Sequence, residues 1–230
     1  MNNLCTICMR GGSKGLSKKN MRNLCGKPLM GYTIKQALES KLFEHVVVST
    51  DSDEIAETAK SYGVETWFMR PAELATDEAP KLPVIRHAFL EAEKHYGHNF
   101  DVLVDLDVTS PLRNVEDITG AYRQFADEDA DILITASPAR KNPYFNMVEQ
   151  VNGRIRKVKE REKPPVRRQD APPVYDMNAS IYIWKRQALL DNDTLFTDKT
   201  SLFIMPEERS VDIDTALDWD FVEFMISKRM

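Results

Sequence analysis

Two hydrophobic periods alternate along this chain, and that alternation limits the fold more than any other feature. Leu4 to Met9 is a short apolar run followed at once by a glycine-rich basic loop. From Leu29 the apolar residues Met30, Ile34, Ala37 and Leu38 recur at helical spacing. His45 to Ser49 is β-branched and apolar, after which Ile55, Ala56, Ala59 and Tyr62 share a helical face that ends at Gly63. Val64 to Phe68 reads as the next strand, and Ile85, Ala88, Phe89, Ala92 and Tyr96 suit another helix. Phe100 to Leu106 is a strand ending in acidic residues, Asn114 is placed to cap a helix carrying Val115, Ile118, Tyr122 and Phe125, and Asp131 to Ser137 is a further strand. Such alternation predicts an α/β fold: a mainly parallel sheet with helices on both faces, whose ligands gather beyond the C-terminal ends of the strands. At 230 residues the chain fits one such domain.

The alternation breaks after Ser137. Proline, lysine and arginine accumulate there, and Asn152-Gly153 sits between Phe145, Met147, Val151 and Ile155 as a hairpin turn would. Residues 138–172 therefore read as an insertion within the domain. Strand character returns at Ser180 to Trp184, and Ala216, Trp219, Val222 and Met225 mark a closing amphipathic helix. Residues 154–168 carry eight basic and two acidic side chains, so this stretch is +6 while the chain as a whole is −5. That run is either a solvated surface or an attractor for an anionic substrate; the acidic total and the lack of interleaved aromatics argue against nucleic acid. No apolar run approaches the roughly 18 residues of a membrane span, and Met1 to Arg10 reads as a strand, not a secretory leader. Cys5, Cys8 and Cys25 have neither disulfide nor zinc-site spacing, which fits a reducing cytoplasm. The four histidines, His45, His87, His95 and His98, show no ligand spacing and receive no role.

Arg10-Gly11-Gly12-Ser13-Lys14-Gly15, followed by Lys18, Lys19 and Asn20, combines close-approaching backbone N–H groups with cations. It is a triphosphate cradle in outline, although a flexible basic turn would read the same way, and it matches neither the Walker spacing nor the dinucleotide fingerprint. Asp212-Ile213-Asp214 sets two carboxylates on one side of an extended segment, spaced to share magnesium, although a solvated loop or the cap of the last helix would also use them.

RGGSKGLSKKN, NLCGKPLMGYTI, VVVSTDSDEIAE, RPAELATDEAP, TSPLR and SVDIDTALD, in that order over nearly the whole chain, resemble the acylneuraminate cytidylyltransferase family. The resemblance implies a Rossmann-like nucleotidyltransferase domain with a dimerisation insert, hence a homodimer. It further implies transfer of CMP from CTP to the anomeric hydroxyl of a nine-carbon sialic-acid-like sugar acid, with release of pyrophosphate and with Mg2+ as cofactor. By the same resemblance Arg10, Gly11, Gly12, Ser13, Lys14 and Lys19 hold the triphosphate, with Lys19 stabilising charge at the reacting phosphate. Asn20 and Arg70 sit on the cytosine, with Ala79 and Lys81 beside it; Arg70 could instead cap a helix or pair with an acid. Asp212 and Asp214 hold metal, and Asp214 joins Lys19 and Arg10 as catalytic.

For the sugar acid the resemblance points to Arg168 and Gln169 in the insertion, to Asn178 before the Ser180 strand, and to Phe196. In one place the chain departs from the family, which usually has Gln-Pro before TSPLR where this sequence has Asp107-Val108, preceded by Asp105. Asp107 is thus a candidate both for the sugar and for the metal, and the acceptor stays open between N-acetylneuraminate and legionaminate types, with the start ICMRGGSKG leaning toward the latter. Another acidic sugar such as the eight-carbon Kdo, or a non-catalytic nucleotide-binding relative, would use the same scaffold.

Overall fold

The computed structural model describes residues 1–12 and 15–229. Its centre is a six-stranded sheet of β1 (Asn3–Cys8), β4 (His45–Ser49), β5 (Val102–Leu106), β6 (Ile132–Pro138), β9 (Tyr175–Lys185) and β10 (Thr200–Ile204). The spatial order is β10-β6-β9-β5-β1-β4. β1 runs parallel to β4 and β5, and β10 parallel to β6, whereas β9 is antiparallel to both its neighbours. Two short pairs lie outside it: β2 (Asn23–Leu24) with β3 (Lys27–Pro28), and β7 (Val148–Val151) with β8 (Arg154–Lys157).

Side chains alternate across the strands, so each face of the sheet buries its own set. On one face Cys5, Ile7, Val104 and Ile183 pack under α1 (Leu29–Ser40), α2 (Asp53–Ser61), α4 (Val115–Asp127) and α6 (Ala216–Ser227), which contribute Ile34, Ile55, Ile118 and Trp219. On the other, Leu4, Val47, Leu103 and Trp184 pack under α3 (Lys81–Tyr96) and α5 (Arg186–Asp191), through Phe89 and Leu189. Asn114 caps α4 as expected, with Asp117 returning the bond to the Asn114 backbone, and Thr215 with Asp218 closes the same reciprocal box on α6. No helix among the described residues is long and apolar enough to cross a membrane.

Three local expectations change. Val64–Phe68 is not a strand; it touches the sheet through a single bridge, Glu65 to Val47, and the Trp67 ring stacks instead on His95 of α3 at 4.1 Å. The strand expected at Ser180 begins at Tyr175, because β9 continues past a register shift against β6 between Ile134 and Ala136. β10 and α5 are additions that the hydrophobic pattern did not reveal. The segment 138–172 leaves from the end of β6 and returns into β9, where Pro138 pairs with Tyr175. Its hairpin forms as expected, with Asn152 and Gly153 at φ 52° and 76°, the two positive values that a tight β7–β8 turn requires.

Candidate active site

The C-terminal ends of β1, β4 and β5 bring the glycine-rich loop, the segment before α3 and the Asp212–Asp214 segment together. The loop is anchored at both ends. Gly11 N–H donates to Asp51 Oδ1 at 2.8 Å, Arg10 pairs with Asp77, and the Asn20 amide donates to the Arg10 carbonyl at 2.9 Å. Lys19 then reaches across to the C-terminal segment, donating to the Ile213 carbonyl at 2.5 Å and lying 3.4 Å from Asp214 Oδ1. Gly15 makes the approach possible, since a Cβ there would stand 2.4 Å from the Asp214 carbonyl oxygen. Lys18 pairs with Glu54 on the surface and takes no part. Ser13 and Lys14 lie outside the described residues.

A second cation meets the end of β5. Lys81, the first residue of α3, donates to Asp107 Oδ2 at 2.5 Å, stands 3.3 Å from Asp105 Oδ2 and lies over the Tyr182 ring. Asp107 Oδ1 accepts from the Thr109 N–H and hydroxyl at 3.0 and 2.7 Å. Burial would push the Asp107 carboxyl up, but Lys81 and Thr109 outweigh it and hold the group well below the usual carboxylate range. Burial would lower Lys81, yet the two aspartates keep it raised. Asp105 is fully buried, accepts from the Thr6 hydroxyl at 2.8 Å, and is pushed up by that burial.

Asp212 lies beside Thr109 and Asp107. Burial, reinforced by Asp107, raises its carboxyl to about 6, and its Oδ1 is buried without a hydrogen-bond partner. An orphaned carboxylate oxygen next to further carboxylates is the donor chemistry a hard divalent cation satisfies. The three aspartates do not close around one point, however. Asp214 is exposed and turned to Lys19, and among the described residues the group of three His, Cys, Asp or Glu ligand atoms within 4.8 Å of one another is Glu44, His45 and His98.

The remaining expected residues are placed differently. Among the described residues Arg70 neither caps a helix nor pairs with an acid: its guanidinium donates to the carbonyls of Met9 and Ser49 and to the Ser49 hydroxyl, tying the ends of β1 and β4. Ala79 sits in the turn before α3, its N–H on the Thr76 carbonyl at 3.4 Å. Asn178 is buried inside the β6–β9 irregularity, where its oxygen accepts from the Thr135 hydroxyl and Ser180 N–H and its amide donates to the Ser210 hydroxyl. Ala179 beside it has φ 50°, and the asparagine fills the gap that the extra residues open, so its polar atoms are spent on the backbone turn. Arg168 and Gln169 are exposed in the insertion, along a cleft shared with Pro138, Pro172, Tyr175 and Ile204; Arg168 donates to the Ala139 carbonyl at 3.2 Å. Phe196 is 63% exposed in the segment leading into β10, at the N-terminal edge of the sheet and away from Lys19 and Asp107.

One central residue was not anticipated. Arg113, from the TSPLR block, is 1% exposed and donates to the Asp107 and Ser180 carbonyls, to Thr33 and Ser180 hydroxyls and to the Gln36 side chain. It fixes the backbone that carries Asp107. Burial lowers its guanidinium to about 10. The sequence block was visible, but nothing in one sequence separates a buried arginine from a ligand-facing one.

Comparison with known proteins follows the same lines. Residues 4–210 match the family described as Cytidylyltransferase. The chain is 53% identical over 224 residues to CMP-N,N'-diacetyllegionaminic acid synthase of Campylobacter jejuni, covering 97% of this chain and 94% of that one. It is 50% identical over 226 residues to the post-translational flagellin modification protein B of Campylobacter coli, covering 98% and 95%. Among solved structures, a CMP:2-keto-3-deoxy-manno-octonic acid synthetase complexed with CTP superposes with a TM-score of 0.74 over the full length of both chains, at 15% identity, a likeness of fold.

Proposed function

This chain belongs to the cytidylyltransferase family, and from that premise we propose that it transfers CMP from CTP to the anomeric hydroxyl of a nine-carbon sugar acid of legionaminate type, releasing pyrophosphate. The observation that carries the reading is the meeting of Lys19 with the Asp214 segment beside the half-buried Lys81–Asp107 pair, at the strand ends where an α/β sheet binds its ligands. The legionaminate type is suggested by the relative named for N,N'-diacetyllegionaminic acid, at 53% identity.

In the reaction the sugar hydroxyl attacks the α-phosphorus in line with the departing pyrophosphate. Negative charge spreads over phosphoryl and leaving oxygens, so fixed cations and positioning supply most of the rate. Arg10 and Lys19 hold the triphosphate, with Gly11 and Gly12 letting the backbone approach it closely, and Lys19 exchanges the Ile213 carbonyl for a phosphate oxygen. Asn20, whose amide is set by the Arg10 carbonyl, faces the base, and Arg70 holds the ends of β1 and β4 that carry the base site. Asp107, kept ionised by Lys81, accepts a hydrogen bond from the sugar and orients its hydroxyl. Magnesium would be held by Asp212 with Asp107 and Asp214 beside it, and would supply Lewis-acid neutralisation of phosphate charge. Arg168 and Gln169 bind the sugar carboxylate, Arg168 by a two-pronged contact. The enzyme works as a cytoplasmic homodimer, with the insertion reaching the second subunit.

Pyrophosphate release measured with a panel of acceptors tests this. Release is expected only with CTP, magnesium and a nine-carbon ulosonic acid together. Equal release with UTP, or none with any such acid while the eight-carbon acid supports turnover, overturns the assignment. Asp214→Asn is expected to lower turnover roughly 100-fold at unchanged unfolding midpoint.

A further inference from the structure

The four histidines have no ligand spacing in sequence, yet the fold brings two of them together at the edge of the sheet opposite the nucleotide site. His45 opens β4, and His98 lies between α3 and β5, just past Gly97, the left-handed residue that ends α3. Their Nε2 atoms face the same carboxylate oxygen, Glu44 Oε1, at 4.0 Å for His45 and 3.6 Å for His98. One ligand atom from each residue falls within 4.8 Å of the other two. We propose that Glu44, His45 and His98 form a binding site for a divalent transition metal of the zinc class.

The orientation of each ring favours this. His98 Nδ1 is 3.1 Å from the Asn99 carbonyl, which can only accept, so Nδ1 carries the proton. With Nδ1 protonated, Nε2 faces the Glu44 carboxylate at 3.6 Å, a contact that needs either a proton or a metal cation between the two. A backbone carbonyl on the far nitrogen is the usual second support of a metal-binding histidine. His45 is stacked on Tyr96, with ring centroids 3.6 Å apart, and meets the edge of Phe100. Tyr96 is braced in turn by its hydroxyl on Glu65 at 3.0 Å, and Glu65 bridges back to Val47 of β4. Glu44 is fixed through its N–H on the Asn3 carbonyl at 2.9 Å.

Two imidazoles and a carboxylate are a borderline donor set that suits zinc, nickel or copper over magnesium. Around a tetrahedral zinc with bonds of roughly 2.1 Å, ligand atoms lie about 3.4 Å apart, so the Nε2–Oε1 distances need to close by about 0.2 Å for His98 and about 0.6 Å for His45. The fourth position is left to water. The side chains are 29 to 41% exposed, which gives a metal access from solvent. β4 spans about 13 Å, so the site is separate from the one at its far end and does not depend on the cytidylyl reading. Bound metal would clamp the edge strand β4 to the connection between α3 and β5.

The test is a titration of chelator-stripped protein with zinc chloride, followed by calorimetry and by melting temperature. One saturable equivalent is expected, with a rise in melting temperature, and His98→Ala and Glu44→Gln should each weaken binding at least roughly ten-fold. Both side chains are part-exposed, so the metal-free variants should melt close to the metal-free parent. Cobalt should give visible d–d absorption that His98→Ala removes. Absence of a saturable equivalent overturns the proposal, as does zinc binding that survives both substitutions and is lost in Asp212→Asn.

Discussion

Arg113 shows how a side chain far from solvent can govern a site it need not touch. Its guanidinium gathers the Asp107 and Ser180 carbonyls, Thr33 and Gln36 into one buried network. Arg113→Leu would leave those acceptors dry and unpaired, at a cost of about 3 kcal/mol or more. Arg113→Lys would not restore it, because an ammonium cannot reproduce the planar fork. Urea unfolding should show both midpoints lowered at unchanged slope. Such a residue is invisible to sequence reading for a physical reason: arginine is assigned to surfaces or ligands by its transfer cost, and only the fold reveals the carbonyls that offset it. Lys19 and Asp214 could be named as candidates from sequence because phosphate chemistry favours those residue types, and the fold sets them 3.4 Å apart. Asn178, chosen on the same grounds, turned out to be spent on a strand irregularity, and Phe196 to lie at the opposite edge.

At the scale of elements, legibility followed amphipathicity. The helices α1 to α4 and α6 each bury one clear stripe, and β1, β4, β5 and β6 are apolar because both faces of the sheet are covered. Val64–Phe68 misled because β4 is an edge strand and the aromatic residues beyond it pack on α3 and do not extend the sheet. The contact between loop and C-terminal segment is set by Gly15, where an added Cβ would press on the Asp214 backbone at 2.4 Å. Gly15→Ala must part the two segments by about 1 Å, a displacement that costs roughly 100-fold in turnover when it falls between reacting groups. The loss should appear in kcat, while the melting temperature, set by the sheet and its helices, changes little. A Gly15→Ala enzyme with full turnover would show that Lys19 and Asp214 need not be held together.

For the molecule as a whole, the uneven charge and the exposed insertion belong to the same question. The hairpin β7–β8 projects from the domain with Val148 and Ile155 about two-thirds exposed, at 64% and 65%, and the stretch from 154 to 168 is +6 on a chain of net −5. Arg168 and Gln169 sit there without contact to Lys19 or Asp107, although the sugar carboxylate they are proposed to bind must lie within reach of both. If each insertion serves the site of the other subunit in a two-fold dimer, a Lys19→Ala subunit and an Arg168→Ala subunit fail for different reasons and can repair each other. Random reassociation of equal amounts makes half the dimers mixed, and each mixed dimer has one site with an intact Lys19 facing an intact Arg168, so about a quarter of wild-type activity should return. Each variant alone should stay inactive. Were the insertion to serve its own subunit, the mixed dimer would hold one lesion in each site, and mixing would restore nothing.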